Sequence, residues 1–535
     1  MHEPWAAHQE PLAQLGPTLC ECAAHVEAGS MEKATRCLAR ANGLLAAAAG
    51  GGSSPQRRLA APMVDCLARC ILRPIPAIAD ALIDPSEWVD RRCVRAARRG
   101  LFELSPFPKA AYAVSNRAII EATENEKYHV CFTVTNHHEQ NVHVIDFAGP
   151  AAHPLQWIEL MHDFHRRPEG PPHLRLTVVH DDKESLSKTS KLLADEAEEL
   201  GMAFQFHYVV GQIETLDFSD LHGTLHLKPG EARAIICTQQ LHRLLATADD
   251  ASTNSYGSAR RFNEQVASVA RLRKMASLSS SSSRPSSGDV ACCEDDDDEE
   301  AFHSPDTPMS FVSPPASTPP PSHQTPPPAL ASFLSAARAQ ASPRVLVVTE
   351  QDASHNGVSF RKRFAEALHY YAAAYGCLDA AAAAAALRRR RRPASAAAAA
   401  ELVVALRQQA EVERAVLGEE VRDVLLREGA RRRERHDRLP RWAARMERAG
   451  FRGVPLSYAA IRSGDDALRR RGVRGCENRE HAGCVLMCWG SCPLFSVSAW
   501  RPNNNGGGET EAASGDSQDY LSASSQMMTT AGTWF

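Results

Sequence analysis

Residues 142–147, Val-His-Val-Ile-Asp-Phe, constrain the fold of this chain most, because they begin a strand–helix–strand pattern. This apolar run ends near Asp146, and an amphipathic segment at residues 155–164 follows after a short turn. A second apolar run lies at residues 174–179. The short connections predict a parallel βαβ unit. Ligands of such sheets bind at the carboxyl ends of the strands, which is the position of Asp146.

The alternation of strands and helices continues along the chain. The further predicted elements are helices at 184–200, 241–246 and 358–375, strands at 203–210, 232–237 and 345–350, and a terminal β-hairpin at 484–489 and 494–500. We therefore expect an α/β fold with a Rossmann-like, methyltransferase-like and mostly parallel sheet of seven strands. Residues 12–122 have a helical pattern, which predicts an N-terminal α-helical cap.

Composition separates one ordered domain from several low-complexity segments. Of the 535 residues, 44% are hydrophobic and 23% are charged, so the chain can form a large core. A serine run, an acidic run and Pro-rich stretches predict disorder at residues 251–328. The expected organisation is one domain at 12–502 (a cap and leucine-rich region at 12–127, an α/β core at 142–250 and 329–502), an unusual insertion at 128–140, the disordered insertion at 251–328, an Ala/Arg-rich insertion at 380–400 and a disordered tail at 503–535.

Cysteine usage and hydropathy indicate the compartment. The 15 cysteines come without a signal peptide, which favours reduced thiols in the nucleus or cytosol. No run of about 18 apolar residues occurs, so we expect no membrane span. The net charge of −4 is small for this length and argues neither for nor against binding of nucleic acid, which therefore depends on local basic patches.

The loop after the first strand does not favour an enzyme. A methyltransferase loop needs several glycines there, so that the backbone can approach the cofactor. This chain has Gly149, followed by Pro150, which lacks an N–H to donate. Asp181 or Asp182 lies where ribose-binding acids often occur, although exposed loop acids are commoner. We predict no catalytic and no cofactor-binding residue, with an S-adenosylmethionine-dependent methyltransferase-like enzyme as the alternative.

Two groups of histidine and cysteine residues contain potential metal ligands, and neither predicts a metal site. The histidines and cysteine at residues 129–138 lack the paired spacing of a zinc site. Cys484 and Cys488 are separated by an even number of residues on one strand, with Cys492 beyond them, so they are expected to face one side of the sheet as small apolar residues.

Basic runs are the remaining candidates for binding. Arg388, Arg389, Arg390, Arg391 and Arg392 form a run of five, and shorter groups lie at 431–435 and 469–471. The run predicts a nuclear-import signal or a contact with phosphate. The alternative, which is commoner for such runs, is a solvated helix face without a binding function. The sequence contains no helix-turn-helix, zinc finger or basic zipper pattern, so we expect contact with DNA through phosphates or through a partner.

Five ordered blocks resemble those of the plant GRAS family of transcriptional regulators. They are the 142–146 strand, Gln156-Trp157 with 167–175, two leucine-rich flanks at 12–122 and 184–200, a block at 364–371 and 433–436, and a terminal block at 489–500. Relatives pass almost directly from the helix into the first strand, whereas this chain carries residues 128–140. The motif residues are Val142, His143, Ile145, Asp146, Gln156, Trp157, Arg175, Arg433, Glu434, Trp489, Gly490, Ser498, Ala499 and Trp500.

The resemblance implies a noncatalytic nuclear regulator that acts in gibberellin-dependent growth and development. The implied partners are DELLA-type and other GRAS proteins and DNA-binding transcription factors. Homo- or heterodimers are also implied, with the leucine-rich cap, including Leu15 and Leu19, as the expected partner face. We expect structural roles for two motif residues: Asp146 would hold the following loop, and His143 would pack within the sheet.

Overall fold

The structure, a computed structural model, describes residues 6–48, 54–73, 91–124, 141–246, 328–390 and 396–503. Three of the expected segments therefore lie wholly or almost wholly outside the described residues: the insertions at 128–140 and 251–328 and the tail at 503–535. The described strands are β1 (Asn141–Asp146), β2 (His173–His180), β3 (Phe204–Val210), β4 (Ala232–Thr238), β5 (Val345–Gln351), β6 (Phe451–Val454), β7 (Cys476–His481), β8 (Cys484–Trp489) and β9 (Cys492–Pro502).

In the described ranges these strands form one mixed sheet of nine strands, in the order β3-β2-β1-β4-β5-β9-β8-β7, with β6 paired to β9. The pairs from β3 to β5 are parallel. All pairs that involve β6 to β9 are antiparallel. The expectation of a mostly parallel, seven-stranded sheet is therefore wrong. The two strands that were missed are the four-residue β6 and the polar β7, and neither has the apolar pattern that predicts a strand.

The longer helices account for most of the remaining described residues. They are α1 (Ala6–Glu27), α2 (Met31–Ala47), α3 (Pro55–Leu72), α4 (Arg91–Leu104), α5 (Phe107–Glu124), α6 (Pro154–His165), α7 (Lys183–Glu199), α8 (Pro328–Ala336), α9 (Phe360–Arg390), α10 (Ala396–Val412), α11 (Gly418–Leu426), α12 (Leu439–Arg448) and α13 (Tyr458–Arg471). The N-terminal region is helical, as expected.

Local signals explain where several helices begin. Ser54 caps α3 by accepting a hydrogen bond from Arg57 N, and Ser457 caps α13 by accepting one from Ala460 N at 3.0 Å. Asp182 caps α7 in the same way, with Glu184 N as the donor. A side-chain oxygen at this position satisfies one of the free N–H groups of the first turn.

The Ala/Arg-rich segment at 380–400 is partly helical. Helix α9 continues through the alanines to Arg390, and α10 begins at Ala396. Alanine has the highest helix propensity of the common residues, so the low-complexity run suits this conformation. Ala381 and Ala382 are buried in the protein. The first part of the segment therefore packs into the fold.

Side chains of alternate residues in the central strands pack into two hydrophobic cores, one on each face of the sheet. Val144 and Val347 belong to a core shared with the N-terminal helices and α5, α6, α7, α9 and α13. Ile145 and Leu346 belong to a second core, which contains α8 and α12. Both faces are covered, which explains why the parallel strands are continuously apolar. No helix in the described ranges is long and apolar enough to cross a membrane.

Candidate functional site

The carboxyl end of β1 is held by its own buried side chains. Asp146 is fully buried, and its Oδ1 accepts a hydrogen bond of 2.7 Å from Ala148 N. Burial raises the pKa of Asp146 to about 7, although the hydrogen bond from Ala148 opposes that rise. The carboxyl group is thus directed at the backbone of the loop that follows the strand.

His143, earlier on β1, lies inside the sheet. Its Nε2 is 2.8 Å from Thr177 Oγ1, and its Nδ1 is 3.3 Å from Glu231 Oε2. Burial, followed by the nearby guanidinium of Arg175, lowers the pKa of His143 to about 3. Arg175 makes an ion pair of 2.8 Å with Glu231. These residues form a buried polar link between neighbouring strands.

The crevice beside β1, where a nucleotide binds in doubly wound folds, is filled by protein. A Cβ placed on Gly149 would lie 3.1 Å from Gln240 Oε1, and Gly149 has a φ of +50°. The buried Tyr112 donates a hydrogen bond of 2.6 Å to Ala151 O in the same loop. The rings of Phe102 and His153 stack with their centroids 3.7 Å apart. Side chains of the helical region thus cover the loop.

A small cavity lies between the helices and the ends of the strands. Its volume is about 40 Å³, and Gln239, Gln351, Tyr370 and Glu420 are among the residues that line it. Ligand pockets usually have volumes of roughly 300–1,000 Å³, so this cavity has room for water molecules only.

Residues from the ends of β4 and β5 and from the loop before α12 form a buried cluster, which we call the histidine–carboxylate cluster: His242, Glu350, Glu434 and His436. His242 Nδ1 donates a hydrogen bond of 2.7 Å to Glu350 Oε2. The Nε2 atoms of His242 and His436 lie 3.0 and 3.2 Å from Glu434 Oε2. Glu350 Oε1 also accepts hydrogen bonds from the backbone N–H groups of Gln240 and Leu241.

Electrostatics within this cluster are strong because it is buried. Burial by itself lowers the pKa of His242, but the carboxylates of Glu350 and Glu434 outweigh it and raise the pKa to about 10. Burial likewise raises the pKa of Glu434, yet the charge of His242 holds it well below the usual range. The favoured state is therefore an imidazolium between two carboxylates, unless another cation replaces its proton.

The loop that carries Glu434 is tied to the rest of the fold at several points. Asp423 Oδ1 accepts hydrogen bonds of 2.8 Å from the backbone N–H groups of Arg433 and Glu434. The guanidinium of Arg433 contacts Glu214 and donates a hydrogen bond of 3.0 Å to Gln212 Oε1. Arg433 and Glu434 thus point in different directions, Glu434 into the cluster and Arg433 to residues that follow β3.

Several other motif residues pack in the protein core. Trp157 and Trp500 are buried, and Trp500 Nε1 donates a hydrogen bond of 2.9 Å to Ser498 Oγ. Gln156 Nε2 donates a hydrogen bond of 3.3 Å to Asn116 Oδ1. Val142, Ile145 and Ala499 are also buried core residues. Gly490 has a different role: it follows Trp489 at the hairpin turn, where its φ is +59°.

The motif residues therefore do not converge on one site. Only Glu434 belongs to the histidine–carboxylate cluster, whose other members were missed by the sequence analysis. Their positions in the sequence could have indicated them, because Glu350 lies near the carboxyl end of the predicted strand β5 and His242 follows β4. Arg388, Arg389 and Arg390 end α9. Their side chains, and all of Arg391 and Arg392, lie outside the description.

Two groups of residues in the described ranges have the side chains to hold a metal. One is His242, Glu434 and His436, which are all buried; the other is Glu21, His25 and Cys37 near the surface of the N-terminal helices. In each group the potential ligand atoms lie within 4.8 Å of one another.

The fold and the filled crevice define the class of protein: a mixed α/β protein with a helical N-terminal region. The crystal structure of SCL7 from Oryza sativa has this fold, with a TM-score of 0.55 and 23% sequence identity, over 86% of this chain and 94% of that one. The GRAS domain family matches residues 15–501, so the chain belongs to the GRAS family. Members of this family are plant transcriptional regulators involved in gibberellin signalling and development.

Individual relatives agree with this assignment. Scarecrow-like protein 3 from Arabidopsis thaliana is 34% identical over 484 residues, which cover 90% of this chain and 88% of that protein. GRAS family protein TF80 from Medicago truncatula is 31% identical over 75% of this chain and 76% of its own length. DELLA protein 1 from Medicago truncatula is 26% identical over 93% of this chain and 64% of its own length.

Proposed function

We propose that this protein acts in the nucleus as a noncatalytic transcriptional co-regulator of gibberellin-dependent growth, and that it works through protein partners. The observation that carries the noncatalytic part is the contact between Gln240 and Gly149. The parallel strands have the order β3-β2-β1-β4-β5, as in doubly wound nucleotide-binding folds. The chain therefore uses a Rossmann-like scaffold whose cofactor position is filled by Gln240 and Tyr112.

Titration of the purified protein with S-adenosylmethionine by calorimetry tests this part of the proposal. We expect no heat of binding, because a ligand would have to displace the buried Gln240 and Tyr112 side chains. A Gln240→Ala variant, which reopens the space beside Gly149, serves as the comparison. Micromolar binding by the unmodified protein would favour the methyltransferase-like alternative.

The partner surface differs from the one that the leucine pattern favours. Leu15 and Leu19 are fully buried in the protein, so they stabilise the helical region and are not available to a partner. Exposed apolar side chains lie instead on α10, where Val403, Val404 and Leu406 are 48%, 62% and 53% exposed. Clustered apolar side chains on a helix surface are typical of protein interaction sites. We infer that DELLA-type and other GRAS proteins, DNA-binding factors or a second copy contact this helix.

Contact with DNA, directly or beside a DNA-binding partner, has its own support. Arg452 on β6 and Arg501 on β9 are paired across the two antiparallel strands, and both side chains are exposed. Like charges directly opposite each other are unfavourable unless an anion lies between them. In the described part of the chain neither arginine has an ion-pair partner. We infer that a phosphate group of the nucleic-acid backbone neutralises this pair.

A further inference from the structure

We propose that His242, Glu434 and His436 bind a transition-metal ion of the zinc type, which fixes the loop of Glu434 to the ends of the central strands. The site lies in the protein interior, apart from the exposed surfaces proposed above to bind partners and DNA. Two histidine nitrogens and a carboxylate oxygen form a ligand set that zinc accepts, and cobalt can take its place.

The distances between the ligand atoms fit such an ion. His242 Nε2 lies 3.0 Å from Glu434 Oε2, and His436 Nε2 lies 3.2 Å from the same oxygen. Zinc binds histidine nitrogen at about 2.0–2.1 Å and carboxylate oxygen at about 2.0–2.2 Å, so two ligands of a tetrahedral site are roughly 3.3–3.5 Å apart. All three potential ligand atoms lie within 4.8 Å of one another, so side-chain adjustments on the order of an ångström would bring them around one ion.

The ring nitrogens that face Glu434 lack aligned hydrogen bonds. His242 Nε2 and His436 Nε2 are both buried, and neither makes a hydrogen bond despite the short distances to the carboxylate. The two rings are 1% and 0% exposed, and Glu434 is 8% exposed. Buried polar atoms are nearly always paired, so two such nitrogens beside one carboxylate oxygen point to a ligand at their centre.

Neighbouring residues fix the orientation of both imidazole rings through their second ring nitrogens, as is usual for histidines that bind a metal. His242 donates its Nδ1–H to Glu350, which leaves Nε2 as the atom that binds the ion. Glu350 is itself fixed by two backbone N–H groups. His436 Nδ1 lies 2.9 Å from His355 Nδ1, and donation from His436 to His355 leaves the Nε2 lone pair of His436 free for the metal.

A proton on His242 is the competing explanation, because an imidazolium also balances the negative charges of Glu350 and Glu434. The two explanations differ in metal content. The full chain, purified without an affinity tag in chelator-free buffer and then dialysed, should contain about one zinc per chain by elemental mass spectrometry. X-ray absorption at the zinc edge should report nitrogen and oxygen ligands near the distances given above. A chain that stays metal-free after incubation with excess zinc would overturn the proposal.

Variants of the proposed ligands test where in the protein the ion is bound. His242→Ala and His436→Ala should each lower zinc content by at least tenfold, while His25→Gln, in the surface group with Glu21 and Cys37, should leave it unchanged. Cobalt substitution of the unmodified chain gives a readout that does not depend on a variant folding. The visible spectrum should show ligand-field bands without thiolate charge transfer. A thiolate band, or zinc loss only in His25→Gln, would place the metal at Cys37 and refute the site.

Discussion

Arg452 lies directly opposite Arg501 across the antiparallel pair of β6 and β9. Replacing both with serine should weaken DNA binding and flatten its salt dependence, because fewer counterions are released on binding. The free energy of unfolding should stay within about 1 kcal/mol of the original or rise, since the repulsion is removed. Gel shifts across a salt series and urea denaturation measure the two effects.

A matched variant controls for net charge in this experiment. The side chains of Arg36, on α2, and Arg166, which directly follows α6, are 68% and 70% exposed, and they lie 3.7 and 2.8 Å from acidic side chains. Their replacement by serine removes the same two charges but should change the affinity for DNA little. Equal losses of affinity in the two double variants would mean that overall charge, and not the arginine pair, binds the nucleic acid.

Gly376 should not tolerate a side chain, although it lies inside a helix. A Cβ at this position would lie 2.5 Å from Cη2 of Trp489. Gly376→Ala should therefore destabilise the protein by about 1–3 kcal/mol despite the better helix propensity of alanine. Gly43 in α2 has no neighbouring atom within 4 Å of its Cβ position, so Gly43→Ala should be neutral or stabilise by up to about 1 kcal/mol. Urea midpoints of the two variants that shift in the same direction would contradict this prediction.

The raised pKa of Asp146 predicts how stability depends on pH. The folded chain keeps a proton on Asp146 up to a pKa of about 7, whereas the unfolded carboxyl loses it near its ordinary value of 3.8. Between these values the folded state binds more protons, so this group's contribution to stability falls as the pH rises, by at most about 1.4 kcal/mol per pH unit. Asp146→Asn removes this contribution and keeps an oxygen for Ala148 N.

The measurement is the difference in unfolding free energy between Asp146→Asn and the unmodified protein at several pH values. His143, with its pKa lowered to about 3, makes folding less favourable as the pH falls below its ordinary value, and it does so in both proteins. The difference should therefore isolate Asp146 and should increase in favour of the variant from pH 4 to pH 7. Parallel stability profiles would contradict the assigned burial of the charge.

The exposed apolar side chains of α10 predict a loss of partner binding. Burial of each side chain contributes about 1 kcal/mol or more, so the triple replacement of Val403, Val404 and Leu406 by serine should weaken binding at least about tenfold. Affinity purification from plant nuclei, followed by mass spectrometry, measures the loss of DELLA-type relatives and transcription factors. Leu192→Ser on α7, which is 45% exposed, is the control. Unchanged recovery with the triple variant would exclude α10 as the partner surface.

The arginine run at 388–392 predicts a change of compartment. Replacing all five arginines with alanine should shift a fluorescent fusion from the nucleus toward the cytosol, because basic runs of this kind direct nuclear import. The Arg36→Ala and Arg166→Ala double variant controls for general loss of basic residues. A fusion that stays nuclear without the run would assign import to another segment or to a partner.

The sequence predicts the parallel strands well because β1, β2, β4 and β5 are buried on both faces and read as apolar runs. It does not predict β7, whose six residues include Glu477, Arg479 and Glu480 and which lies at an edge of the sheet. Edge strands with charged side chains avoid aggregation, and they lack an apolar alternation. The physical cause of the error is therefore that β7 is solvated.

The histidine–carboxylate cluster could not be found from spacing. His242, Glu350 and Glu434 are separated by 108 and by more than 80 positions in the chain, and each is surrounded by ordinary loop or strand residues. Their meeting depends on the order of β4 and β5 and on the path of the loop before α12. A buried ion network has no local period, so only the folded arrangement shows which polar residues share one desolvated space.

The position of β9 has a consequence for synthesis of the protein. This strand, the last in the described ranges, lies between β5 and β8, and its residues Phe495 to Trp500 pair with Leu346 to Gln351 of β5. A ribosome makes the intervening segment of about 150 residues in a time on the order of ten seconds. During that interval β5 has an open, apolar edge, which is a template for wrong pairing. Synthesis of β9, and not the earlier emergence of the parallel strands, therefore determines when the nascent chain covers this aggregation-prone edge.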